Sequence, residues 1–131
     1  MPALNKKAIR VLKGKNFAFI ATVNKDGSPH VSPVWVETDG TNILINTAIG
    51  RVKELNARRD TRVAVAVVDA ADPYYRVVVD GSVRRAIKGK KADDSIDFLS
   101  FKYTGVKKYR RSSPSEKRVL LVIEPTRIRE Q

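Results

Sequence analysis

Phe17-Ala-Phe-Ile-Ala-Thr-Val-Asn-Lys-Asp-Gly-Ser-Pro-His-Val-Ser-Pro-Val-Trp-Val36 decides how this chain folds. Phe17 to Val23 is a compact apolar run suited to a buried strand. Asn24-Lys25-Asp26-Gly27 follows it, and Asp-Gly supplies the positive φ that a tight hairpin needs. His30 to Glu37 reads as the returning strand. Thr38-Asp39-Gly40-Thr41 makes a second turn into another apolar strand, Asn42–Thr47. Three strands joined by hairpins therefore form a meander, and a meander is antiparallel.

Outward from this stretch the pattern continues. A helix over about 51–59 interrupts the meander, and Arg62–Asp69 resumes it. A turn at Ala70–Pro73 leads to a long strand from Tyr74 to about Arg85, in which Gly81 marks a bulge or sharp bend. Before the first strand, Leu4, Ala8, Val11 and Leu12 recur at helical spacing and predict an amphipathic helix over 3–12, ending at Gly14. A second such pattern covers about 92–103, with Ile96, Leu99 and Tyr103 on one stripe. Ser112–Ser115 reads as a loop. The last strand is Lys117–Ile123, ending near Pro125, with Ile128 as an extension. Six short strands and a few helices predict a mainly β protein, a six-stranded antiparallel barrel, in one domain spanning 1–131.

Composition narrows the function. The chain has 131 residues, no cysteine and one histidine. This excludes a disulfide framework, a thiolate nucleophile and a cysteine or histidine metal cluster. The N-terminus lacks the apolar core of a signal peptide, and no segment approaches a membrane span, so the expectation is a soluble, cytoplasmic protein. Lysine and arginine number 26 against 14 acids, a net charge of +12. That excess attracts polyanions: nucleic acid, an acidic membrane surface, or a small ligand rich in phosphate and carboxylate. The runs at 84–91 and 107–111 hold much of it, and such runs commonly form solvated faces.

No catalytic constellation is present. His30 is the only candidate base, and a lone histidine after Gly27-Ser28-Pro29 reads as structural or solvent-facing. Asp93-Asp94 reads as helix N-terminal charge. No Walker or Rossmann glycine pattern occurs. Binding chemistry is more visible. Thr47, Gly50, Arg51 and Lys53 lie in the order strand end, turn, helix start. N–H groups at a helix N-terminus lack intrahelical partners and sit at the positive end of its dipole, so two cations there make an anion cradle. A helix start with merely solvated cations has the same pattern. Pro33 cannot donate to a ladder and marks an edge or bulge, leaving Ser32 and nearby backbone free to meet a heteroaromatic ring. Trp35 reads as core. Tyr74 and Tyr75 follow Pro73 at a strand start, where an aromatic can stack on a planar ligand or simply pack a turn.

The quoted stretch, together with Leu44-Ile-Asn-Thr-Ala-Ile-Gly-Arg-Val-Lys-Glu-Leu-Asn-Ala-Arg-Arg-Asp60, Asp72-Pro-Tyr-Tyr-Arg-Val-Val-Val-Asp-Gly81 and Lys117-Arg-Val-Leu-Leu-Val-Ile-Glu-Pro125, resembles the pyridoxamine 5'-phosphate oxidase-like, flavin-binding split β-barrel family. The likeness covers nearly the whole chain and is strongest toward small members that use the deazaflavin coenzyme F420. It implies an oxidoreductase moving hydride to or from a small organic substrate, with F420 favoured and FMN the alternative. It implies a homodimer with cofactor sites at the interface. By position, Thr47, Arg51 and Lys53 would hold the cofactor phosphate. Ser32, Pro33 and Val34 would lie along the ring and ribityl chain, Asn56 would support the phosphate loop, and Tyr74 would reach the partner's cofactor. Pyridoxamine oxidases proper carry an arginine and a lysine in the strand matching His30–Trp35. Neither is present here, which argues against pyridoxamine phosphate oxidation and tight FMN binding. F420 carries a phosphodiester, lactate and glutamate tail, and a longer anion suits a more basic protein. Two other readings stand beside this one: a cofactor carrier or sensor without turnover, and a nucleic-acid-binding barrel using Phe101, Tyr103 and Tyr109 among cations.

Overall fold

The computed structural model describes residues 2–130. After Asn5, whose side chain accepts from the Ala8 N–H and so caps the helix, α1 spans Lys6–Lys13. β1 (Ala18–Val23) and β2 (Pro29–Val34) form the expected hairpin, with Gly27 at φ +87° in its turn. β3 (Glu37–Thr38) pairs with β4 (Ile43–Ala48). α2 (Val52–Arg59), β5 (Arg62–Asp69), β6 (Asp72–Ile87), α3 (Lys90–Thr104) and β7 (Arg118–Glu130) complete the chain. All strand pairings are antiparallel, in the order β2-β1-β5-β6-β7-β4-β3.

The sheet thus has seven strands, not six. The extra strand arises because the expected strand His30–Glu37 is broken. β2 ends at Val34, and Glu37 rejoins the sheet at its opposite edge, beside β4. This break defines the architecture. Seven strands laid flat would put the two edges about 29 Å apart, at about 4.8 Å per strand. The three residue steps from Val34 to Glu37 reach only about 10 Å. The sheet must curl until its edges nearly meet, with Trp35 and Val36 bridging a gap that no ladder closes. The product is a split half-barrel.

Alternation explains its filling. Ile20, Ile43, Ile45, Val65, Val77 and Ile123 point inward and are fully buried, joined by Val11 and Leu12 of α1. β6 and β7 are longer than expected, running from Asp72 and through to Glu130. Pro125 is tolerated because it lies opposite Gly81 at a register shift. Gly81 sits where β7 comes closest. A Cβ there would lie 2.7 Å from Ile123 Cγ2 and 2.8 Å from the Glu124 carbonyl oxygen. Gly81→Ala is therefore expected to cost about 1–3 kcal/mol, as overpacking does. A urea unfolding midpoint equal to wild type would contradict this packing.

The split is plugged by the last turns of α3. The Tyr103 hydroxyl donates to the Asn16 carbonyl (2.6 Å) and accepts from the Val36 N–H (3.2 Å). Lys102 Nζ donates to the carbonyls of Val36 (2.6 Å) and Leu12 (3.0 Å). The bonds to Val36 satisfy a backbone N–H and carbonyl that leave the ladder at the bridge, and those to Leu12 and Asn16 tie α3 to α1 and the segment before β1.

Candidate functional site

A cavity of about 290 Å³ opens at the split. One wall is apolar and largely aromatic, made by Pro33 and Val34 at the end of β2 and by Phe17 and Trp35. The opposite wall carries Thr47, Arg51, Lys53 and Arg118. Pro33 lies on an edge strand, as its missing N–H requires. Trp35 is half-buried, lines the cavity, and stacks on Tyr103 with ring centroids 5.4 Å apart and planes 5° from parallel.

The cradle is built by the turn between β4 and α2. Gly50 takes φ +95°, and its N–H donates to Glu54 Oε1 at 2.7 Å. The Glu54 carboxylate also receives Arg58, so the buried acid closes the turn from within the helix. That leaves Arg51 at the N-cap and Lys53 in the first turn without ion pairs among the described residues. Thr47 is 1% exposed, and its Oγ1 has no hydrogen-bond partner among the described residues. Burial first, then the charges of Arg51 and Arg118, pushes the Lys53 ammonium below its ordinary pKa. Three cations in mutual repulsion around a buried, unsatisfied hydroxyl make a place for an anion.

Arg118 is not visible as a site residue in the sequence, because it reads as one of two cations at the start of the apolar strand Lys117–Ile123. Register brings it there: Arg118 pairs with Ala48, one residue after Thr47. Its Nε donates to Asn46 Oδ1 (2.9 Å), and its Nη1 to Glu116 Oε2 (2.9 Å), with Tyr109 beneath the guanidinium. Asn46 Nδ2 in turn donates to the Ala92 carbonyl in α3. Two further depressions adjoin the cavity through shared walls, one containing Arg51 and Lys117 and one containing Arg118, Lys88 and Lys117.

Five of the eight expected site residues thus line one cavity: Pro33, Val34, Thr47, Arg51 and Lys53. Ser32 precedes them on β2, half-buried, with an unpartnered Oγ. Asn56 lies apart from the cavity wall. Its Nδ2 donates to Thr22 Oγ1 (3.0 Å) and Asn24 Oδ1 (2.9 Å), tying α2 to β1. Tyr74 is also remote, 89% exposed at the start of β6.

A curled antiparallel sheet open along one seam defines the split β-barrel class. The chain belongs to the pyridoxamine 5'-phosphate oxidase family, whose model matches residues 4–131. Solved structures agree on the fold. One named F420 reductase is 24% identical, with a TM-score of 0.81 over 96% of this chain and 98% of its own. A conserved hypothetical protein of Mycobacterium tuberculosis is also 24% identical, with a TM-score of 0.76 over 97% and 84%. HupZ of Group A Streptococcus is 16% identical, with a TM-score of 0.65 over 97% and 94%. At such identities the likeness speaks for the fold alone. Among the described residues no helix is long and apolar enough to cross a membrane.

Proposed function

We propose that this chain is a flavin-type oxidoreductase that binds F420, with FMN as the alternative, and acts on a small organic substrate. One observation carries the reading: the apolar wall of Pro33, Val34 and Trp35 faces unpaired Arg51 and Lys53 and the buried, unpartnered Thr47 Oγ1 in one cavity. A planar ring joined to a phosphate fits such a pair of walls. Bound there, the cofactor would supply the hydride chemistry that these side chains lack. Thr47, Arg51 and Lys53 would hold its phosphate, and the anion would favour the charged form of Lys53. Pro33 and Val34 would flank the ring, while the Trp35–Tyr103 stack limits water behind it.

The preference for F420 rests on charge. The adjoining depressions add Lys88 and Lys117, cations without ion pairs among the described residues, along the path a longer anionic tail would take. The basic runs lend less to a nucleic-acid reading, because Arg84, Lys90, Lys108 and Arg111 are paired with Glu124, Asp94, Asp97 and Asp93.

The proposal includes a homodimer. Phe19, Val31 and Val68 project, exposed, from the outer sheet face, and register joins Phe19 to Ala66 and Val78 on that face. Contiguous apolar surface of this kind marks an interaction site, and a second copy would cover it. Tyr74 alternates onto the same face, where it would reach a partner's cavity. Sedimentation should give a dimer, and a monomer at micromolar concentration would contradict this part.

The test of the cofactor reading is a titration with F420 and with FMN, followed by quenching of Trp35, the only tryptophan. Saturable quenching at lower F420 than FMN concentration is expected. Saturation by neither would overturn the reading.

A further inference from the structure

α3 lies over the outer side of β4 and β7, with Ala92 packed among Leu120 and Val122. Ile96, Leu99 and Tyr103 mark its buried side. At about 3.6 residues per turn, Phe98 and Phe101 fall on the side directly opposite. Phe98 is 57% exposed and Phe101 54%. Val106, just past the Gly105 cap, is exposed as well. Single exposed apolar side chains are ordinary. Two phenylalanines three residues apart on the outermost line of a helix are neighbours and form a patch.

Hydrogen bonds fix what flanks this patch. On one side, Lys102 Nζ donates to the Leu12 carbonyl and brings the end of α1 alongside α3, with exposed Lys13 and Lys15. On the other side, the Tyr109 N–H donates to Asp97 (2.9 Å) and Arg111 donates to Asp93 (2.9 Å). These two bonds lay the segment 106–111, with exposed Lys107 and Arg110, along the helix. Lys13, Lys15, Lys107 and Arg110 make no ion pair among the described residues. The acids beside the patch are matched already, Asp94 by Lys90 (2.6 Å) and Asp97 by Lys108 (3.4 Å). An apolar strip thus runs between two cationic flanks.

We propose that this face docks on an anionic lipid bilayer, with Phe98 and Phe101 entering the interfacial region and the flanking cations meeting the headgroups. Apolar residues bordered by lysine and arginine are what an interfacial helix presents to acidic lipid. Each cation near such a surface strengthens binding about fivefold, an effect that fades as salt rises. Shape and charge disfavour the other occupants. Single-stranded nucleic acid is held in a basic groove, whereas this face is the convex side of a helix with Asp94 on it. A second copy would set like-charged flanks against each other. The face proposed above for a second copy also carries Phe19, Val31 and Val68 of β1, β2 and β5, whereas α3 lies over β4 and β7. Docking of this kind is peripheral and needs no membrane-spanning segment.

The test is sedimentation of the full-length chain with two kinds of vesicle, one of phosphatidylglycerol and phosphatidylcholine in equal parts, the other of phosphatidylcholine alone. Binding to the mixed vesicles only is expected, and it should weaken with added salt. The double variant Phe98→Ser, Phe101→Ser should bind them at least about tenfold more weakly, because both side chains would otherwise leave water. Its urea unfolding midpoint and its sedimentation without vesicles should equal those of the wild type. The high net charge alone would give adhesion indifferent to these phenylalanines, so wild-type vesicle binding by the double variant would overturn the proposal. Equal binding to both vesicles, or binding to neither, would overturn it too. A smaller oligomer in the double variant would assign the face to a second copy instead. Nucleic-acid binding that the double variant loses, with no vesicle binding by the wild type, would assign it to that polymer. No cofactor enters the test, so its outcome is independent of the flavin-type reading.

Discussion

Replacing Arg51 and Lys53 together with alanine is expected to weaken F420 binding at least about 100-fold while leaving the fold intact. Hydrogen bonds from charged donors contribute about 1.5–3 kcal/mol each, and two are removed, which corresponds to roughly two to four decades of affinity. Little structure should be lost. Arg51 is exposed at the N-cap of α2 and makes no side-chain capping bond, and Lys53 takes part in no ion pair among the described residues. The turn itself is held by Glu54 and Arg58, which the substitution leaves in place. Equilibrium titration combined with urea unfolding separates the two effects. Wild-type affinity in the double variant would remove Arg51 and Lys53 from the account.

Arg118→Ala is expected to behave oppositely, destabilising the fold by about 3–5 kcal/mol, because it strands a buried charge. The side chains of Arg118 and Glu116 are 4% and 3% exposed. Truncation would leave Glu116 without its guanidinium and Asn46 Oδ1 without its donor. Burial alone would raise the Glu116 carboxyl, but bonds from the Ser112 hydroxyl and N–H, then Arg118, outweigh it and hold the group at about 2. A carboxyl depressed in the folded state stabilises above its unfolded pKa and loses that contribution as pH falls. The wild type should therefore lose stability between about pH 4.5 and pH 2, and Arg118→Ala, in which Glu116 keeps fewer of the partners that lower it, should lose less over that window. Chemical denaturation at a series of pH values measures both. An unfolding free energy within 1 kcal/mol of wild type would contradict the buried-pair description.

Local signals in the sequence were reliable where physics is local. The Asp26-Gly27 turn, the apolar run before it and the Gly50-Arg51-x-Lys53 helix entrance all specify backbone geometry within a few residues. The break after Val34 was harder to see. His30–Glu37 is continuously compatible with extended backbone, and only sheet closure decides that Trp35 and Val36 leave the ladder. Trp35 reads as core, and it does pack against Ile96, Leu99 and Tyr103, but its place beside the cavity follows only from that closure. Arg118 was hidden for a similar reason: its role depends on pairing with Ala48, 70 positions earlier in the chain. The departure of Asn56 from the cavity wall has a local cause, since its amide is already committed to Thr22 and Asn24.

The most direct test of the central claim is a crystal structure of the chain grown with F420. The account predicts the cofactor phosphate within hydrogen-bonding distance of Thr47 Oγ1, Arg51 and Lys53, with the ring against Pro33 and Val34. A phosphate bound elsewhere, with Thr47 Oγ1 still unpartnered, would contradict it.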